Sequence, residues 1–456
     1  MSEDIAALGA ALRTGHLDPV ELVDAALEEL RAWEPVLRAT TEVLDQRARA
    51  VAERRRQELR DGHDRGPLHG VPIAVKDILD QHGLRTTAGS RILADNVATG
   101  DAAIVRALEE AGAVVVARSN THEFAFGALT PPTRNPWDPS RMPGGSSGGS
   151  AALVGAGIVR AAIGSDTGGS IREPAALCGV VGCKPTTGAY DLEGVIPLSW
   201  SLDCVGPLAA TPADAAAVLT AMAGARRAGQ TRTARPFPAF EGARIALWAE
   251  LHDRMQAEVR QVYASSLAAL EAAGAVVKEV SLGDPDEAVG VALVLLGAEA
   301  LSYHRQWYQE RPGDYASDVL AYLDLSATFT AADLVDAQRL RQAWRDRVEL
   351  CLDTYDVLLT PAQLVVAPRV DEDRVELEDG RNAPRDLTLI RPLAAFNVTG
   401  HPAVSVPVGS GARTGLPISI QLVGPAGSEA ALLSLAARCQ AEVGNAVPTT
   451  PPRPTT

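Results

Sequence analysis

Two short apolar runs without helical period, Val71-Pro72-Ile73-Ala74-Val75 and Ala113-Val114-Val115-Val116-Ala117, bracket a segment in which Ile104, Val105 and Leu108 share one helical face. Runs of this length and composition read as strands buried on both sides. Strand, helix and strand in that order predict parallel neighbours in a sheet covered by helices, so the chain is expected to be an α/β protein. Asp101 is the expected N-cap of the intervening helix, and Gly112 its stop.

The flanking sequence extends this pattern. Asp18, Pro19 and Glu21 read as a capping box with proline at the first helical position, followed by Leu22, Val23, Ala26, Leu27 and Leu30 on one face. Residues 38–60 are charged and helix-forming, and Arg54-Arg55-Arg56 is expected on their solvated face. Residues 1–65 are thus expected to be an N-terminal helical segment packed on the core of a main unit spanning 66–444. Further strands are expected at Arg244–Trp248, Ala275–Leu282 and Val357–Leu359, with helices at Arg254–Ala273, 289–310 and 331–354. Residues 225–242 read as an exposed loop. The Pro/Thr-rich tail, 445–456, is expected to be disordered.

Several function classes are disfavoured. Lys+Arg 42 against Asp+Glu 57 leaves a formal charge of −15, and no basic run offsets it, so no nucleic-acid partner is expected. Five scattered cysteines with no CxxC pair support neither a disulfide framework nor a thiolate zinc site. There is no HExxH and no phosphate- or dinucleotide-binding glycine loop, so no metal and no cofactor are expected. The longest apolar run, about 288–298, falls short of the ~18 residues needed to span a bilayer. The N-terminus lacks an apolar signal region. The expectation is a cytoplasmic protein without a membrane partner.

What remains is concentrated in residues 142–188, where Gly, Ser and Ala interleave with apolar stretches. Ser146 and Ser170 each follow Gly-Gly. Such glycines leave a hydroxyl uncovered and let successive N–H groups converge on one point, as an oxyanion site requires. A serine hydroxyl needs a base to become a nucleophile. No histidine is nearby, and Lys76, placed just after an apolar strand, is the natural candidate if burial keeps it neutral. By composition alone, such a loop is more often an ordinary turn or an anion nest than a catalytic centre, and a lysine at a strand end is usually exposed.

The wider sequence resembles the amidase signature family of serine amidohydrolases. The resemblance is carried by PGGSSGGS at 143–150, GSDTGGSIREPAALCGVVGCKPTTG at 164–188 and GPLHGVPIAVKD at 66–77. It continues through SLDCVGP at 201–207, YDVLLTP at 355–361, NVTGHPAVSVPVG at 397–409 and GLPISIQLVG at 415–424, and covers roughly 18 to 443. It implies a single α/β/α domain, with a mixed twisted central sheet between helix layers. It also implies a Ser–cis-Ser–Lys triad: Ser170 as nucleophile, Ser146 as bridging serine after a cis peptide bond, and Lys76 as the base. The amides of Thr167, Gly168, Gly169 and Ser170 would form the oxyanion hole. Asp166 and Arg172 are read as orienting residues beside the nucleophile, and Ser147 as a partner of the lysine. Ser165 and His69 are read as structural, and Cys178 and Cys183 as inert core thiols. Phe126, Leu129, Gly144 and Gly145 are expected to meet substrate.

Two departures bear on the substrate. The segment between Asn120 and Gly144 looks shortened after Gly127, leaving Leu129, Pro131 and Pro132 and suggesting an open, less polar entrance. Glutamine-using relatives, the A subunits of tRNA-dependent amidotransferases, are expected to hold the substrate carboxylate with an arginine in the later helical region. Here Pro312–Gln338 has no Lys or Arg and carries Asp314, Asp318, Asp324, Asp333 and Asp336. The resemblance therefore implies an independent hydrolase of neutral aryl or alkyl amides, with carbamates (urethanes) and esters as further substrates. The alternative is an amidotransferase A-type subunit delivering ammonia to a partner. The helical insertion at about 289–345, with Tyr303, Trp307, Tyr308, Tyr315, Tyr322 and Phe329, is expected either to roof the site or simply to pack its helices. A homodimer is the default expectation.

Overall fold

The computed structural model describes residues 3–227, 236–377, 380–443 and Pro451. The core of the 225–242 loop and almost all of the tail lie outside the described residues. The strands are β1 (Thr40–Val43), β2 (Pro72–Lys76), β3 (Val114–Ser119), β4 (Ala161–Asp166), β5 (Val181–Lys184), β6 (Cys204–Ala209), β7 (Arg244–Trp248), β8 (Val276–Val280), β9 (Val357–Pro361), β10 (Arg374–Glu376), β11 (Asn382–Pro384), β12 (Ala403–Ser410) and β13 (Pro417–Val423). Eleven of them form one sheet in the order β1-β3-β2-β4-β6-β5-β12-β13-β9-β7-β8, while β10 and β11 make a separate hairpin.

The expected mixed α/β sheet is present. β2 runs parallel to β3 and to β4, β7 runs parallel to β8 and β9, and antiparallel strands join the two parallel blocks. Alternation along the buried strands separates two cores. Ile73, Val75 and Val115 pack with Ile104 and Leu108 of the helix Ala103–Glu110 on one face. Ala74, Val114 and Val116 pack on the other with Val23, Leu27 and Leu30 of the helix Pro19–Leu37, Val51 and Ala52 of the helix Asp45–Arg60, and the helix Gly148–Gly155. Both faces are covered, which is why these strands read as unbroken apolar runs.

Several local expectations need correction. Asp18 caps the helix Pro19–Leu37 by accepting from the Val20 amide, one position earlier than a capping box requires, and Glu21 takes no reciprocal part. Residues 38–60 are not all helical. Thr40–Val43 adds to the edge of the sheet antiparallel to β3, and the helix begins at Asp45. Arg55 is not exposed: its guanidinium pairs with Glu58 and donates to the Glu109 carbonyl. Asp101 does not cap the helix Ala103–Glu110, because its carboxylate accepts from the His82 amide instead. The helix expected from Arg254 starts at Ala257, after a 3-10 turn over Ala249–Arg254.

The insertion consists of the helices Pro285–Glu310, Ser317–Ser326 and Ala331–Thr354. The first is long and apolar enough to cross a membrane by length and composition, yet half of its most apolar window is buried inside the protein. Its apolar character is explained by packing against the rest of the core.

Candidate active site

Lys76 ends β2 and Asp166 ends β4. These neighbouring parallel strands pair Ala74 with Ala162 and Val75 with Ile163, so both residues emerge at the same edge of the sheet. Carboxyl ends of parallel strands are where an open α/β sheet places its chemistry. Lys76 is completely buried, and its Nζ lies 2.8 Å from Ser146 Oγ, 2.9 Å from Ser147 Oγ and 2.9 Å from Ser165 Oγ. No carboxylate among the described residues contacts it. Burial lowers its amine to about 7, against the opposing pull of Asp203 and Asp166.

Ser146 is held from several sides. The Gly145–Ser146 peptide bond is cis. The Ser146 carbonyl accepts from the His122 amide at 3.3 Å and from Thr130 Oγ1 at 3.2 Å. A Cβ on Gly145 would lie 2.1 Å from the Leu129 carbonyl oxygen, so only glycine permits this backbone approach. Within the shortened loop, Thr130 Oγ1 also bonds the Gly144 carbonyl at 2.9 Å and receives the Gly148 amide at 3.1 Å, bracing the serine loop.

Ser170 precedes the helix Arg172–Cys178, and its carbonyl accepts from the Ser147 amide at 3.3 Å. Its hydroxyl makes no hydrogen bond to the described residues. The loop around it is organised by Asp166, whose carboxylate receives the amides of Gly169, Ile171 and Arg172. The expected set of four oxyanion donors is therefore corrected at Gly169, whose N–H is already taken at 3.0 Å. Thr167, Gly168 and Ser170 remain.

Arg172 explains why a carboxylate can sit there. It meets Asp166 through Nε at 3.0 Å and Nη2 at 2.8 Å, and also reaches the Leu393 carbonyl, Gln421 and Asn397. Burial would raise the Asp166 carboxyl. The charge and hydrogen bonds of Arg172, helped by Lys184 and Asn397, outweigh it and bring the group down to about 2. Asp203, within the SLDCVGP match, accepts from Thr167 Oγ1 at 2.5 Å and from the amides of Leu198 and Ser199. Burial raises its carboxyl to about 6.

The remaining expectations fall in different places. Phe126 and Phe124 turn into an aromatic cluster with His304, Tyr315 and Tyr322, while Tyr303 and Trp307 pack on His304. Tyr308 instead bonds Asp324, and Phe329 packs beside Gly297. The insertion's aromatics thus divide between the cluster and ordinary helix packing. His69 is structural: Nδ1 accepts the Arg65 amide at 3.0 Å, so Nε2 carries the proton and donates to the Arg55 carbonyl at 2.9 Å. Cys178 and Cys183 are buried and free, and burial pushes both thiols well up. No group of metal-ligating side chains occurs among the described residues.

Sequence reasoning misses three groups. Ser165, expected to be structural, places its hydroxyl directly against the lysine. Glu173 accepts the Gly145 amide at 2.8 Å. Arg341, three residues beyond the arginine-free stretch, is half-buried and binds the carbonyls of Val398 and Ser201. No local pattern marks Glu173, because its side-chain partner, Gly145, belongs to a distant loop.

A profile of the amidase family matches residues 21–433. The chain belongs to the amidase signature family. It is 37% identical to an amidase of Pseudomonas putida over 431 residues, covering 91% of this chain and 92% of that one. It is also 34% identical over 459 residues to the A subunit of a glutamyl-tRNA(Gln) amidotransferase from Carboxydothermus hydrogenoformans, covering 93% and 94%. A crystal structure of an amidase superposes with a TM-score of 0.89 at 35% identity, covering 96% of this chain and 99% of that one. As a member of this family the protein is an amide-hydrolysing enzyme, and the eleven-stranded mixed sheet with its flanking helices is the amidase signature fold.

Proposed function

We propose that the protein is an independent serine amidohydrolase cleaving the C–N bond of neutral aryl or alkyl carboxamides through an acyl-Ser170 intermediate, with carbamates and esters as further substrates. The observation that carries this reading is a fully buried lysine amine surrounded by three serine hydroxyls and no carboxylate. Hydrogen-bond counting supports a lysine that accepts a proton from a serine. Ser147 donates its own hydroxyl proton to the Ser165 carbonyl at 3.1 Å, so towards Lys76 it can only accept. A neutral amine has two protons and one lone pair. Donating to Ser147 leaves the lone pair for Ser146 or Ser165, and the proposed relay takes Ser146.

In the proposed mechanism, Ser170 attacks the carbonyl, its proton passes to Ser146, and the Ser146 proton passes to Lys76. The amides of Thr167, Gly168 and Ser170 receive the oxyanion. The relay returns a proton to the leaving amine, and water then releases the acyl group by the same route. Closing the Ser146–Ser170 link is left to substrate binding, as catalytic hydrogen bonds often tighten only in the complex.

A second reading, glutamine hydrolysis as an amidotransferase A-type subunit, is favoured by the relatives of that description, and the arginine nearest the arginine-free stretch that is turned inward is Arg341. Its guanidinium is already engaged by two backbone carbonyls, which weighs against a carboxylate-binding role. A panel of aryl and alkyl amides, an aryl carbamate, an ester and glutamine, with Ser170→Ala run beside it, tests both. Ser170-dependent turnover of neutral substrates supports the lead reading. Turnover of glutamine alone would replace it with the second.

A further inference from the structure

We propose that Glu173 is a positioning residue of this site: as a neutral carboxylic acid it clamps the Ser146 loop to the Ser170 loop. This rests on the Lys76–Ser146–Ser170 reading above.

Glu173 lies three residues after Ser170, in the first turn of the helix Arg172–Cys178, and is 1% exposed. Its backbone N–H donates to the Gly169 carbonyl at 2.7 Å, while its side-chain Oε2 accepts the Gly145 N–H at 2.8 Å. One residue therefore ties together the loops that carry the two serines. Gly145 is the residue whose carbonyl carbon forms the peptide bond to Ser146. Displacing its amide moves the Ser146 hydroxyl against Lys76. Gly144 is needed for the same contact, since a Cβ there would lie 2.8 Å from Glu173 Oε1 and equally close to Pro174.

The surroundings favour the neutral carboxyl. Oε1 is buried and has no hydrogen-bond partner. The charged and titratable groups that face Glu173 are Asp166 at the end of β4, Arg385 and Asp386 of the helix Arg385–Ile390, and Cys178 of its own helix. Arg385 is already paired with Asp386 at 2.8 Å. An ionised Glu173 would carry one unsatisfied oxygen beside two other carboxylates, with the nearby cation spent. An uncompensated buried charge of this kind is far more costly than a buried neutral acid. Burial accordingly pushes the carboxyl well above the usual range. The protonated acid keeps a carbonyl oxygen for the Gly145 N–H. Glutamine offers the same acceptor in nearly the same shape and cannot ionise.

The test uses an alkyl fluorophosphonate on the full-length protein, followed by intact mass. The Ser170 Oγ–P bond forms, the P–F bond breaks, fluoride leaves and the relay takes the proton. Wild type, Ser170→Ala, Glu173→Ala and Glu173→Gln are compared from pH 6 to pH 10. Glu173→Ala is expected to label about 10- to 100-fold more slowly than wild type. Glu173→Gln, which keeps the acceptor and cannot ionise, should label within about threefold of wild type. Wild-type labelling of Glu173→Ala, or a Glu173→Gln variant as slow as the alanine variant, would overturn the proposal. If the alanine variant does not fold, Glu173→Gln decides alone: labelling within about threefold of wild type supports the clamp, and a loss of about tenfold or more overturns it. Labelling of Ser170→Ala at the wild-type rate would instead overturn the hydrolytic reading of the site.

Discussion

If Lys76 is the base, its protonation sets the acid limb of the reaction. Burial holds the amine at about 7, from an ordinary value of 10.5. The base works only when neutral, so roughly one tenth of the enzyme is competent at pH 6 and roughly nine tenths at pH 8. The rate of fluorophosphonate labelling at Ser170 should therefore rise about tenfold per pH unit below 7 and level off near pH 8. The same shift affects stability. Between about 7 and 10.5 the unfolded chain binds the lysine proton and the folded chain does not, so wild-type stability rises with pH across that window. The roughly 3.5-unit difference corresponds to about 5 kcal/mol. Lys76→Met removes this titration. It also leaves serine hydroxyls without a partner, but that penalty does not vary with pH. Urea unfolding of both proteins at pH 6 and pH 10 isolates the lysine: wild type should gain several kcal/mol relative to Lys76→Met on going to pH 10. A labelling rate flat between pH 5 and 8, one still climbing tenfold per unit at pH 9, or a stability difference independent of pH would refute the reasoning.

Other outcomes follow from the same geometry. Asp203→Asn removes a negative charge that opposes the lowering of the Lys76 amine, so the acid limb of the labelling profile should move to lower pH; an unmoved or raised midpoint contradicts the assignment. Arg172→Met strands the Asp166 carboxylate and should destabilise the fold by about 3–5 kcal/mol in urea unfolding, where less than 1 kcal/mol would show that the pair is dispensable. Gly145→Ala places a Cβ 2.1 Å from the Leu129 carbonyl oxygen, and should either fail to fold or fold with labelling reduced at least about 100-fold. Ser147→Ala removes one of the three hydroxyls around the amine and should slow labelling about tenfold while the protein stays folded by circular dichroism.

Local chemistry was legible in the residues themselves. Unbroken apolar runs at 71–75 and 113–117 reported strands covered on both faces, because period and composition reflect burial directly. Glycine pairs before Ser146 and Ser170 marked backbone that must approach closely, and the contact between Gly145 and Leu129 is such an approach. The sequence also marked Lys76 as a strand-end lysine of unusual setting. Its partners were set by tertiary structure: β4 lies beside β2 although β3 intervenes in the chain, and this non-sequential pairing carries Ser165 to the amine. Thr40–Val43 pairs with the sheet edge as its β-branched Thr40, Thr41 and Val43 favour, a local signal submerged when 38–60 is read as one charged helical stretch. Arg55 looked like one of three exposed arginines until Glu58 and the Glu109 carbonyl surrounded it. Capture of the Gly169 amide by Asp166, and of the Gly145 amide by Glu173, depends on distances within folded loops. By itself the sequence determined which segments must be buried and which residues have the chemistry to react. Only the tertiary structure decided which hydroxyls share the lysine and which amides stay free, because hydrogen bonds between distant segments depend on strand order and loop path, and neither has a periodic signature.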